Sequence, residues 1–381
     1  VALAEERRAD WKRISGTMQN DALKEYQGQK SFYFPPRPSI RLILDTIAFC
    51  SRNLPRFNPI SISGYHLASA GASPVQELAF TLANGFFYVE ACIEAGLDVD
   101  VFAPRLSFFF KAHNDFFENA AKLRAARRIW ARTMRERFGA RNPASWRFRV
   151  HTQTSGSSLT AQQMENNIVR TTIQALSAVM AGTQSLHTNA HDEALSIPTE
   201  HSEKLALRTQ QIILHESGAA STVDPLAGSY YVEALTNRME EACEEIFQTI
   251  ADMGGVIAGI ENGYFQREIA ESAFRYQQSL ERGERIVVGL NRFEEEEETE
   301  IRLREVDPEF EATKITALKR FKEERDPERI RRHGEALRAV CEGRENVVDV
   351  LVPAVRDGMT LGEAVGHMKE VFGIHREQAV F

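Results

Sequence analysis

The chain has 381 residues, of which 43% are hydrophobic and 26% are charged, and its formal net charge is −8. This composition is that of a globular protein with one large core, with or without a smaller appendage. The negative charge argues against general binding to nucleic acid or anionic membranes, and no apolar run reaches the roughly 18 residues of a transmembrane helix.

The first predicted elements are two helices joined by a polar loop and a stiff connector. Helical composition predicts a helix over residues 1–14, which Gly16 ends, and an apolar stripe predicts another over residues 39–52. Residues 17–21 are polar and suit either a helix cap or a loop that hydrogen-bonds a ligand. Prolines within residues 34–38 predict a rigid extended connector.

The next element is a short predicted strand with a polar tip. Residues 60–63 alternate isoleucine and serine at the period of a strand, and Gly64 then releases the backbone. Tyr65 and His66 would therefore lie at the carboxyl end of the strand, where parallel α/β folds place their sites. Taken alone, these two residues could serve only structural roles, with Tyr65 capping the core and His66 satisfied by internal hydrogen bonds, or they could belong to a functional site.

The order of strand, polar tip and long helix recurs along the chain. Further strands are predicted at residues 101–110, 147–151 and 183–189, and the intervening helices at 74–95, 114–138 and 160–181. Such repetition predicts an α/β fold of the (β/α)8 TIM-barrel type. Residues 285–289 are one more candidate strand, after a helical region over 199–282. Because fewer than eight strands are visible, a doubly wound open sheet is the alternative.

The end of the chain has a different composition. A run of five glutamates at 294–298 predicts a solvated linker over residues 294–300, with a partner-binding segment as the alternative. Residues 301–381 are predicted to form a helix-rich C-terminal extension. Residues 1–293 would then form the substrate-binding barrel domain.

The cysteines and the N-terminus indicate the compartment. Four cysteines occur without a CxxC pair or a metal-ligand spacing, which predicts reduced thiols in a cytoplasmic protein. The first residues form neither a signal peptide nor a transit peptide. The first residue is valine rather than methionine, so we expect the natural product to begin further upstream.

Imidazole, amide, hydroxyl and guanidinium groups occur at the ends of the predicted strands, with few carboxylates beside them. These residues are His66, Arg105, Ser107, His151, Gln153, Gln184, His187 and Asn189. Motifs for P-loop nucleotide binding, serine hydrolysis and zinc proteolysis are absent. A set without a carboxylate pair suits the polarisation of a carbonyl group better than hydrolysis. The predicted burial of Arg105 calls for either an internal ion pair or an anionic ligand.

Five stretches occur in an order that matches a known family. They are Gln19-Asn-Asp, Phe57-Asn-x-Ile-Ser-Ile-Ser-Gly-Tyr-His66, Phe102-Ala-Pro-Arg-Leu-Ser-Phe-Phe109, His151-x-Gln-Thr-Ser-Gly156 and Thr183-Gln-Ser-Leu-His-Thr-Asn189 with Asp192-Glu-Ala. The chain thereby resembles the large subunit of adenosylcobalamin-dependent acyl-CoA mutases, the methylmalonyl-CoA and isobutyryl-CoA mutase group. The resemblance runs over about residues 10–293 and more loosely through the tail. It implies a radical carbon-skeleton rearrangement of an acyl-CoA in a TIM barrel whose first strands lie upstream of this chain.

The resemblance also implies roles for individual residues. His66 would hydrogen-bond the thioester oxygen, Tyr65 would separate the substrate from the corrin, and Gln19 would reach the acyl group. The positions that match the CoA channel are Asn58, Arg105, Ser107, Gln184 and Ser185. The positions that match the corrin or adenosyl contacts are His151, Gln153, Gly156, Glu193 and Ala194.

Three features depart from the family pattern. Gln29 stands where methylmalonyl-type enzymes carry an arginine for the substrate carboxylate, which predicts a neutral branched acyl-CoA of the isobutyryl or 2-hydroxyisobutyryl type. Ser69 stands where the family usually has a glutamate that contacts the adenosyl group. The cobalamin-binding signature is absent, which implies a separate small subunit that supplies the cofactor domain and the lower cobalt ligand, in an assembly of two large and two small subunits.

The predicted function is therefore a coenzyme B12-dependent isomerase of a neutral branched acyl-CoA. Methylmalonyl-CoA mutase is the alternative within the same class. A non-catalytic paralogue that binds CoA esters or cobalamin proteins is the alternative from another class. We predict no metal ligands in the chain itself, and neither a nucleic-acid nor a membrane partner.

Overall fold

The computed structural model describes residues 1–295 and 307–377. The strands are β1 Ser15–Thr17, β2 Arg56–Asn58, β3 Ile60–Ser63, β4 Leu106–Ala112, β5 Val150–Thr154 and β6 Ser185–His187. The helices before the acidic run are α1 Ala2–Glu6, α2 Pro36–Asn53, α3 Tyr65–Ser69, α4 Pro74–Glu94, α5 Val99–Phe102, α6 Phe116–Glu136, α7 Asn166–Met180, α8 Glu200–His215, α9 Tyr230–Asp252, α10 Val256–Glu261 and α11 Tyr264–Glu281. Those after it are α12 Pro308–Glu324, α13 Pro327–Glu342, α14 Val347–Arg356 and α15 Leu361–Phe372.

The strands β3, β4, β5 and β6 form a parallel sheet in chain order. Each connection contains a long helix, and the connecting helices α4, α6 and α7 pack against one another in sequence. A doubly wound sheet would reverse its strand order, and these strands do not. A separate parallel pair, β1 and β2, precedes them, and Pro59 separates β2 from β3 along the chain. The α/β class is confirmed, whereas the closed eight-stranded barrel stays a prediction.

Polar and apolar side chains largely alternate along the strands, so one face of the sheet is mainly polar and the other is mainly apolar. Ile62, Phe108 and Val150 are buried and belong to the main core beneath the helices. Phe108 packs edge-on against Trp130 of α6, with ring centroids 4.9 Å apart. Successive side chains of a strand point to opposite faces, so the odd-numbered residues of β3 to β6 face away from this core. That opposite face carries the polar groups.

Three predicted boundaries are wrong for identifiable reasons. The predicted helix over 1–14 breaks after α1, and Asp10 caps a separate short turn at Trp11–Arg13. The segment 101–110 is a strand only from Leu106, because Asp98 caps α5 and Pro104 continues into a 3₁₀ turn. The strand predicted at 147–151 is displaced toward the C-terminus and becomes β5.

The candidate strand at residues 285–289 does not form. The side chain of Asn291 accepts a hydrogen bond from the Val287 amide at 2.8 Å and donates to the Arg285 carbonyl at 2.8 Å. Gly289 adopts a φ of +78°, which glycine allows without strain. The segment therefore folds into a turn that leaves only an isolated bridge between Val288 and Arg292.

The C-terminal extension is helical, as predicted, over the described residues from 307 to 377. Helices α13, α14 and α15 enclose a small core of their own, which includes Phe34 from the proline-rich connector. The Arg41 guanidinium of α2 donates to the Cys341 carbonyl at 2.6 Å. Of the predicted acidic linker, residues 296–300 lie outside the described residues. Within the described ranges, no helix has both the length and the hydropathy needed to cross a bilayer.

All four cysteines are buried and free, as the prediction of reduced thiols requires. Burial raises the pKa of the Cys92 thiol to about 12 and that of the Cys50 thiol to about 11. Thiols of this kind are inert toward oxidation at neutral pH because the thiolate is the reactive form.

A buried ion pair joins α4 and α6 beneath the carboxyl end of β4. The side chains of Glu77 and Lys122 are each 2% exposed and are hydrogen-bonded to each other. Glu77 also accepts a bond from the Lys111 amide at 2.8 Å, and Lys122 donates to the Lys111 carbonyl at 2.7 Å. The pair therefore fixes the last residues of β4 relative to two helices.

Replacement of Lys122 by methionine is expected to lower the free energy of unfolding by about 3–5 kcal/mol, because it leaves the Glu77 carboxylate buried and unpaired. Urea denaturation followed by circular dichroism measures the loss. The exposed Lys319 of α12 is the matched control, and Lys319→Met should change stability by less than about 0.5 kcal/mol. Equal effects of the two replacements would show that the buried pair does not contribute in this way.

Candidate active site

A cavity of about 580 Å³ lies against the polar face of the sheet. It brings together seven of the predicted site residues: Gln19, Asn58, Ser107, His151, Gln153, Gln184 and Ser185. Thr17, Ser61, Phe109, Arg149 and His187 also line it. Side chains from all four strands of the sheet therefore line the cavity.

Strand register arranges these groups in rows across the sheet. Phe109 pairs with His151, which in turn pairs with Ser185. One step further toward the carboxyl ends, Lys111 pairs with Gln153 and Gln153 pairs with His187. His151 Nδ1 lies 2.7 Å from Ser185 Oγ, which fixes the ring. Ser107 and Ser185 of the predicted CoA channel thus lie at the amino ends of β4 and β6, and Gln153 and Gly156 of the predicted cofactor contacts lie toward and beyond the carboxyl end of β5. His151, also a predicted cofactor contact, instead shares a row with Ser185 near the amino ends.

Tyr65 and His66 open α3 immediately after β3. The Tyr65 ring stacks on Phe109, with centroids 4.8 Å apart and planes 4° from parallel. The Tyr65 hydroxyl accepts a hydrogen bond from Gln153 Nε2 at 3.2 Å. Burial raises the pKa of this hydroxyl, so the phenol stays neutral. The stacked pair forms a flat aromatic wall beside His66.

His66 is held as a neutral imidazole. Burial, helped by the Lys24 ammonium, lowers its pKa to about 4. Its Nδ1 lies 2.8 Å from Ser63 Oγ. When the Ser63 hydroxyl donates to Nδ1, the ring proton sits on Nε2. The geometry thus leaves one N–H donor for a ligand oxygen.

Gln29 ends a π-helical turn over Glu25–Gln29 and is exposed at its side chain. The Lys24 ammonium donates to Gln29 Oε1 and also forms an ion pair with Glu25. An ammonium group can only donate hydrogen bonds, so the Gln29 carbonyl oxygen must face Lys24. The Gln29 amide nitrogen consequently points away from Lys24 with both of its protons.

The polar segment around residue 20 is a loop whose residue Asp21 also caps the helical turn that follows, since Asp21 Oδ1 accepts from the Leu23 amide at 3.1 Å. Gln19 lines the cavity, and the buried carboxylate of Asp21 anchors the segment. Asp21 accepts bonds from the Ser63 amide at 3.0 Å and from the Tyr88 hydroxyl at 2.8 Å. Burial raises the pKa of Asp21, and these donors oppose the shift. The loop is therefore attached to the end of β3, directly beside His66.

The predicted CoA-channel residues differ in how free their polar groups are. Asn58 Nδ2 donates to Thr17 Oγ1 at 2.8 Å, whereas the buried Asn58 Oδ1 has no partner among the described residues. The Ser107 hydroxyl donates to the Ile60 carbonyl at 2.8 Å. Gln184 accepts from the Val150 amide at 2.6 Å and donates to the Gly182 carbonyl at 3.0 Å, so its amide already serves the main chain. Among these residues, Asn58 therefore has a side-chain acceptor, Oδ1, that lacks a hydrogen-bond donor.

Arg105 is half-buried and does not line the cavity. Burial lowers the pKa of its guanidinium, and Arg149 and Arg56 lower it further. No carboxylate forms an ion pair with Arg105 in the described part of the chain. Of the two expectations for this residue, the cationic surroundings favour an anionic ligand over an internal ion pair.

Gly156 follows β5 where three side chains converge. A Cβ atom on Gly156 would lie 2.8 Å from Asn189 Nδ2, 3.1 Å from Glu193 Oε1 and 3.4 Å from the Tyr65 hydroxyl. Burial raises the pKa of Glu193, and neighbouring Asp192 adds to the shift. Ala194 is exposed in the turn that follows and does not line the cavity. Glycine thus permits a close polar cluster at the carboxyl edge of the sheet.

Several residues of the polar face lie outside the predicted site. Ser61, Phe109 and Arg149 line the cavity, and Lys111 belongs to the same face of β4. For Ser61, Phe109 and Lys111 the signal was present, because they occupy odd positions of β3 and β4, whose even positions are apolar. Arg149 lies just before β5 and carries no such signal. Finding them required the correct strand boundaries.

Comparison with known proteins identifies the family. The family model described as methylmalonyl-CoA mutase matches residues 1–374. The chain belongs to the methylmalonyl-CoA mutase family. The 2-hydroxyisobutanoyl-CoA mutase large subunit of Aquincola tertiaricarbonis is 48% identical over 383 residues, covering 100% of this chain and 68% of that protein. This relative and the methylmalonyl-CoA mutases of the family are acyl-CoA mutases, which are isomerases.

Two further members of the methylmalonyl-CoA mutase family show how much of the longer proteins the chain represents. The methylmalonyl-CoA mutase of Escherichia coli is 46% identical over 98% of this chain and 52% of its own length. The mitochondrial methylmalonyl-CoA mutase of Homo sapiens is 41% identical over 99% of this chain and 50% of its own length. The chain thus spans about half the length of these methylmalonyl-CoA mutases.

Proposed function

We propose that the chain is the substrate-binding and catalytic part of an adenosylcobalamin-dependent mutase that acts on a neutral branched acyl-CoA of the 2-hydroxyisobutyryl or isobutyryl type. The observation that carries the proposal is Gln29, a neutral amide at the position where the family resemblance expects an arginine for the substrate carboxylate. The neighbouring Lys24 ammonium donates to Gln29 and is already ion-paired with Glu25. The relative that is 48% identical carries 2-hydroxyisobutanoyl-CoA in its name, which supports the same substrate class.

In this proposal His66 acts on the thioester. Its Nε2–H donates to the thioester oxygen and stabilises negative charge that develops there during migration of the group. Tyr65 and Phe109 form the aromatic wall that keeps water from the reacting carbons. Gln19 approaches the acyl group from the loop that Asp21 anchors.

The CoA portion is proposed to lie along the amino ends of the strands. The free Asn58 Oδ1 accepts a hydrogen bond from the pantetheine amides, and Ser107 and Ser185 provide hydroxyl groups along the same path. Arg105 and its neighbour Arg149 supply the positive charge that phosphate groups require. Gln184 shapes this channel through its main-chain bonds.

The cofactor is proposed to lie at the carboxyl ends. The corrin or adenosyl contacts are assigned to Gln153, Gly156, Glu193 and Ala194 near that edge and to His151 one row closer to the amino ends. The missing side chain at Gly156 lets Asn189, Glu193 and Tyr65 converge there. When bound, adenosylcobalamin supplies the radical chemistry that no side chain of the protein provides. The residues of the chain hold the geometry, exclude water and stabilise charge.

The proposed assembly is cytoplasmic and contains two copies of the chain and two small cobalamin-binding subunits, which provide the lower cobalt ligand. The name "large subunit" of the Aquincola relative supports a small partner. The buried free cysteines are compatible with a reducing compartment.

Turnover assays of the natural full-length chain test the proposal. The chain is combined with a cobalamin-binding small subunit and adenosylcobalamin, and kcat/KM is measured for isobutyryl-CoA, 2-hydroxyisobutyryl-CoA and methylmalonyl-CoA. We expect a neutral substrate to exceed methylmalonyl-CoA by at least about 10-fold, as expected when a buried carboxylate lacks its partner. A methylmalonyl-CoA rate equal to or above the neutral ones would overturn the substrate class. Binding of CoA esters without isomerisation or a radical signal would indicate the non-catalytic alternative.

A further inference from the structure

Aromatic rings meet beside the turn that carries Gln29, and one of them comes from the far end of the chain. Tyr26 and Phe32 flank the turn and stack on each other, with ring centroids 5.3 Å apart and planes 7° from parallel. The His375 ring stands nearly perpendicular to both, with its centroid 4.6 Å from that of Phe32 and 5.0 Å from that of Tyr26. The stack therefore closes the base of the turn, and His375 packs against the stack.

Two further contacts join this turn to the C-terminal segment, residues 373–377, which follows α15. The His375 amide donates a hydrogen bond to the Tyr33 carbonyl at 3.0 Å. The Glu377 carboxylate forms an ion pair with Lys30 Nζ at 2.6 Å. The ion pair is open to solvent, and such pairs contribute little by themselves. The ring contacts and the backbone hydrogen bond therefore provide most of the attachment.

The turn adopts a conformation that needs support from the rest of the protein. Lys30 directly follows it and has a φ of +65°, which is unfavourable for a residue with a side chain. The Lys30 amide closes the π-helical turn with a bond to the Glu25 carbonyl at 2.7 Å. Such a backbone persists when its surroundings hold it in place. Gln27 exchanges two amide hydrogen bonds of 2.8 Å with Asn84 of α4, and the C-terminal segment provides support after the turn.

The His375 ring acts as an uncharged aromatic surface. Burial lowers its pKa, with the Glu377 carboxylate opposing the shift, so the imidazole is neutral at pH 7. A neutral imidazole packs edge to face against other rings. A phenylalanine ring at this position would therefore retain the contacts with Tyr26 and Phe32, whereas alanine would remove them.

We infer that His375 is a positioning residue for the acyl end of the substrate, because its ring and its amide hold the turn that presents Gln29. The inference rests on the proposed function, which assigns the acyl end of the substrate to the position of Gln29. The C-terminal extension thereby takes part in substrate recognition from outside the cavity. Since His375 acts through Gln29, its loss should weaken binding of the acyl group and leave binding of the CoA portion unchanged.

The test compares the affinity for 2-hydroxyisobutyryl-CoA with that for free CoA, which has no acyl group. The full-length chain is assembled with a cobalamin-binding small subunit and hydroxocobalamin, which lacks the adenosyl group and so permits no turnover, and calorimetry measures both Kd values. His375→Ala should weaken acyl-CoA binding about 5-fold, as expected when a hydrogen-bonding group is misplaced, and change CoA binding less than about 2-fold. His375→Phe should keep both affinities within about 2-fold. His367→Ala on α15 is the control, because its imidazole contacts Arg338 instead.

A double-variant cycle shows whether His375 acts through Gln29. Gln29→Ala removes the proposed acyl contact, so adding His375→Ala to it should weaken acyl-CoA binding by less than about 2-fold more. Unchanged acyl-CoA affinity in His375→Ala would overturn the inference. Equal weakening for acyl-CoA and CoA, or additive losses in the double variant, would also overturn it, because a merely structural role gives those results. His375 is half-buried and lies beyond the last helix, so we expect its variants to fold.

The same measurements separate failure of the inference from failure of the proposed function. If Gln29→Ala leaves acyl-CoA affinity unchanged, the proposed acyl contact fails and the inference fails with it. If Gln29→Ala weakens acyl-CoA binding and His375→Ala does not, the inference alone fails. Both affinities are measured without turnover, so a lack of isomerase activity in the assays of the proposed function is a separate result.

Discussion

Replacement of His66 by alanine is expected to lower kcat about 100- to 1000-fold while changing KM little. In the proposed mechanism the His66 imidazole donates to an oxygen whose negative charge is larger in the transition state than in the ground state, so loss of the imidazole affects the rate more than substrate binding. The imidazole is already neutral at pH 7 because burial and Lys24 lower its pKa to about 4. Steady-state kinetics with a neutral acyl-CoA measure the effect.

Two controls distinguish the loss of the donor from a general disturbance. His333 forms its hydrogen bond with Asp357 in the C-terminal extension, so His333→Ala should leave kcat unchanged within about 2-fold. His66→Asn keeps an N–H donor and should recover part of the lost rate. Protonation of His66 should not reduce kcat until the pH falls to about 5 or below, since the folded-state pKa lies near 4. A proportional increase in KM with unchanged kcat in His66→Ala would contradict the assigned role.

Replacement of Gln29 by arginine is expected to change substrate preference by the largest factor. A guanidinium at this position would pair with the free carboxylate of methylmalonyl-CoA, so kcat/KM for that substrate should increase about 10- to 100-fold. The same replacement removes the hydrogen bond that Lys24 donates to Gln29 and places a second cation near it. The kcat/KM for isobutyryl-CoA should therefore fall. Competition assays with both substrates in one reaction measure the ratio directly.

Gln29→Met is the matched control, because it is similar in size and carries no charge. It should preserve the preference for a neutral acyl group and lose only the contact with Lys24. If Gln29→Arg leaves the ratio of the two substrates unchanged, the acyl end of the substrate does not reach this residue. The substrate class would then depend on residues outside this segment.

The sequence predicted the repeated strand and helix units well because the strands alternate so regularly. Residues 60–63, followed by Gly64, correctly predicted both the buried strand and the position of His66 directly after its carboxyl end. The start of β4 was not predictable in this way, since Asp98 and Pro104 convert an apolar run into helical turns. At residues 285–289 the side chain of Asn291, which lies outside the apolar run, prevents a strand. Propensity alone does not include such local hydrogen bonds.

The candidate site was predictable to the extent that the family motifs cover it. Asn58, Ser107, His151 and Gln153 meet in one cavity because parallel strands bring their corresponding positions together. The contact of Lys111 with Ser69 and Ser157 depends on the tertiary approach of three separate segments, which no short-range pattern contains.

The carboxylate of Asp21 has a consequence for how substrate range changes. Asp21 holds the segment that leads to Gln29 and, through the Ser63 amide, the strand end that carries His66. If the proposed function holds, a single rigid unit of backbone therefore sets the distance between the contacts to the thioester end and to the acyl end of the substrate. New acyl groups would then be accommodated by exchange of side chains at constant backbone spacing, so substrate specificity would diverge by single substitutions while the rearrangement chemistry is conserved.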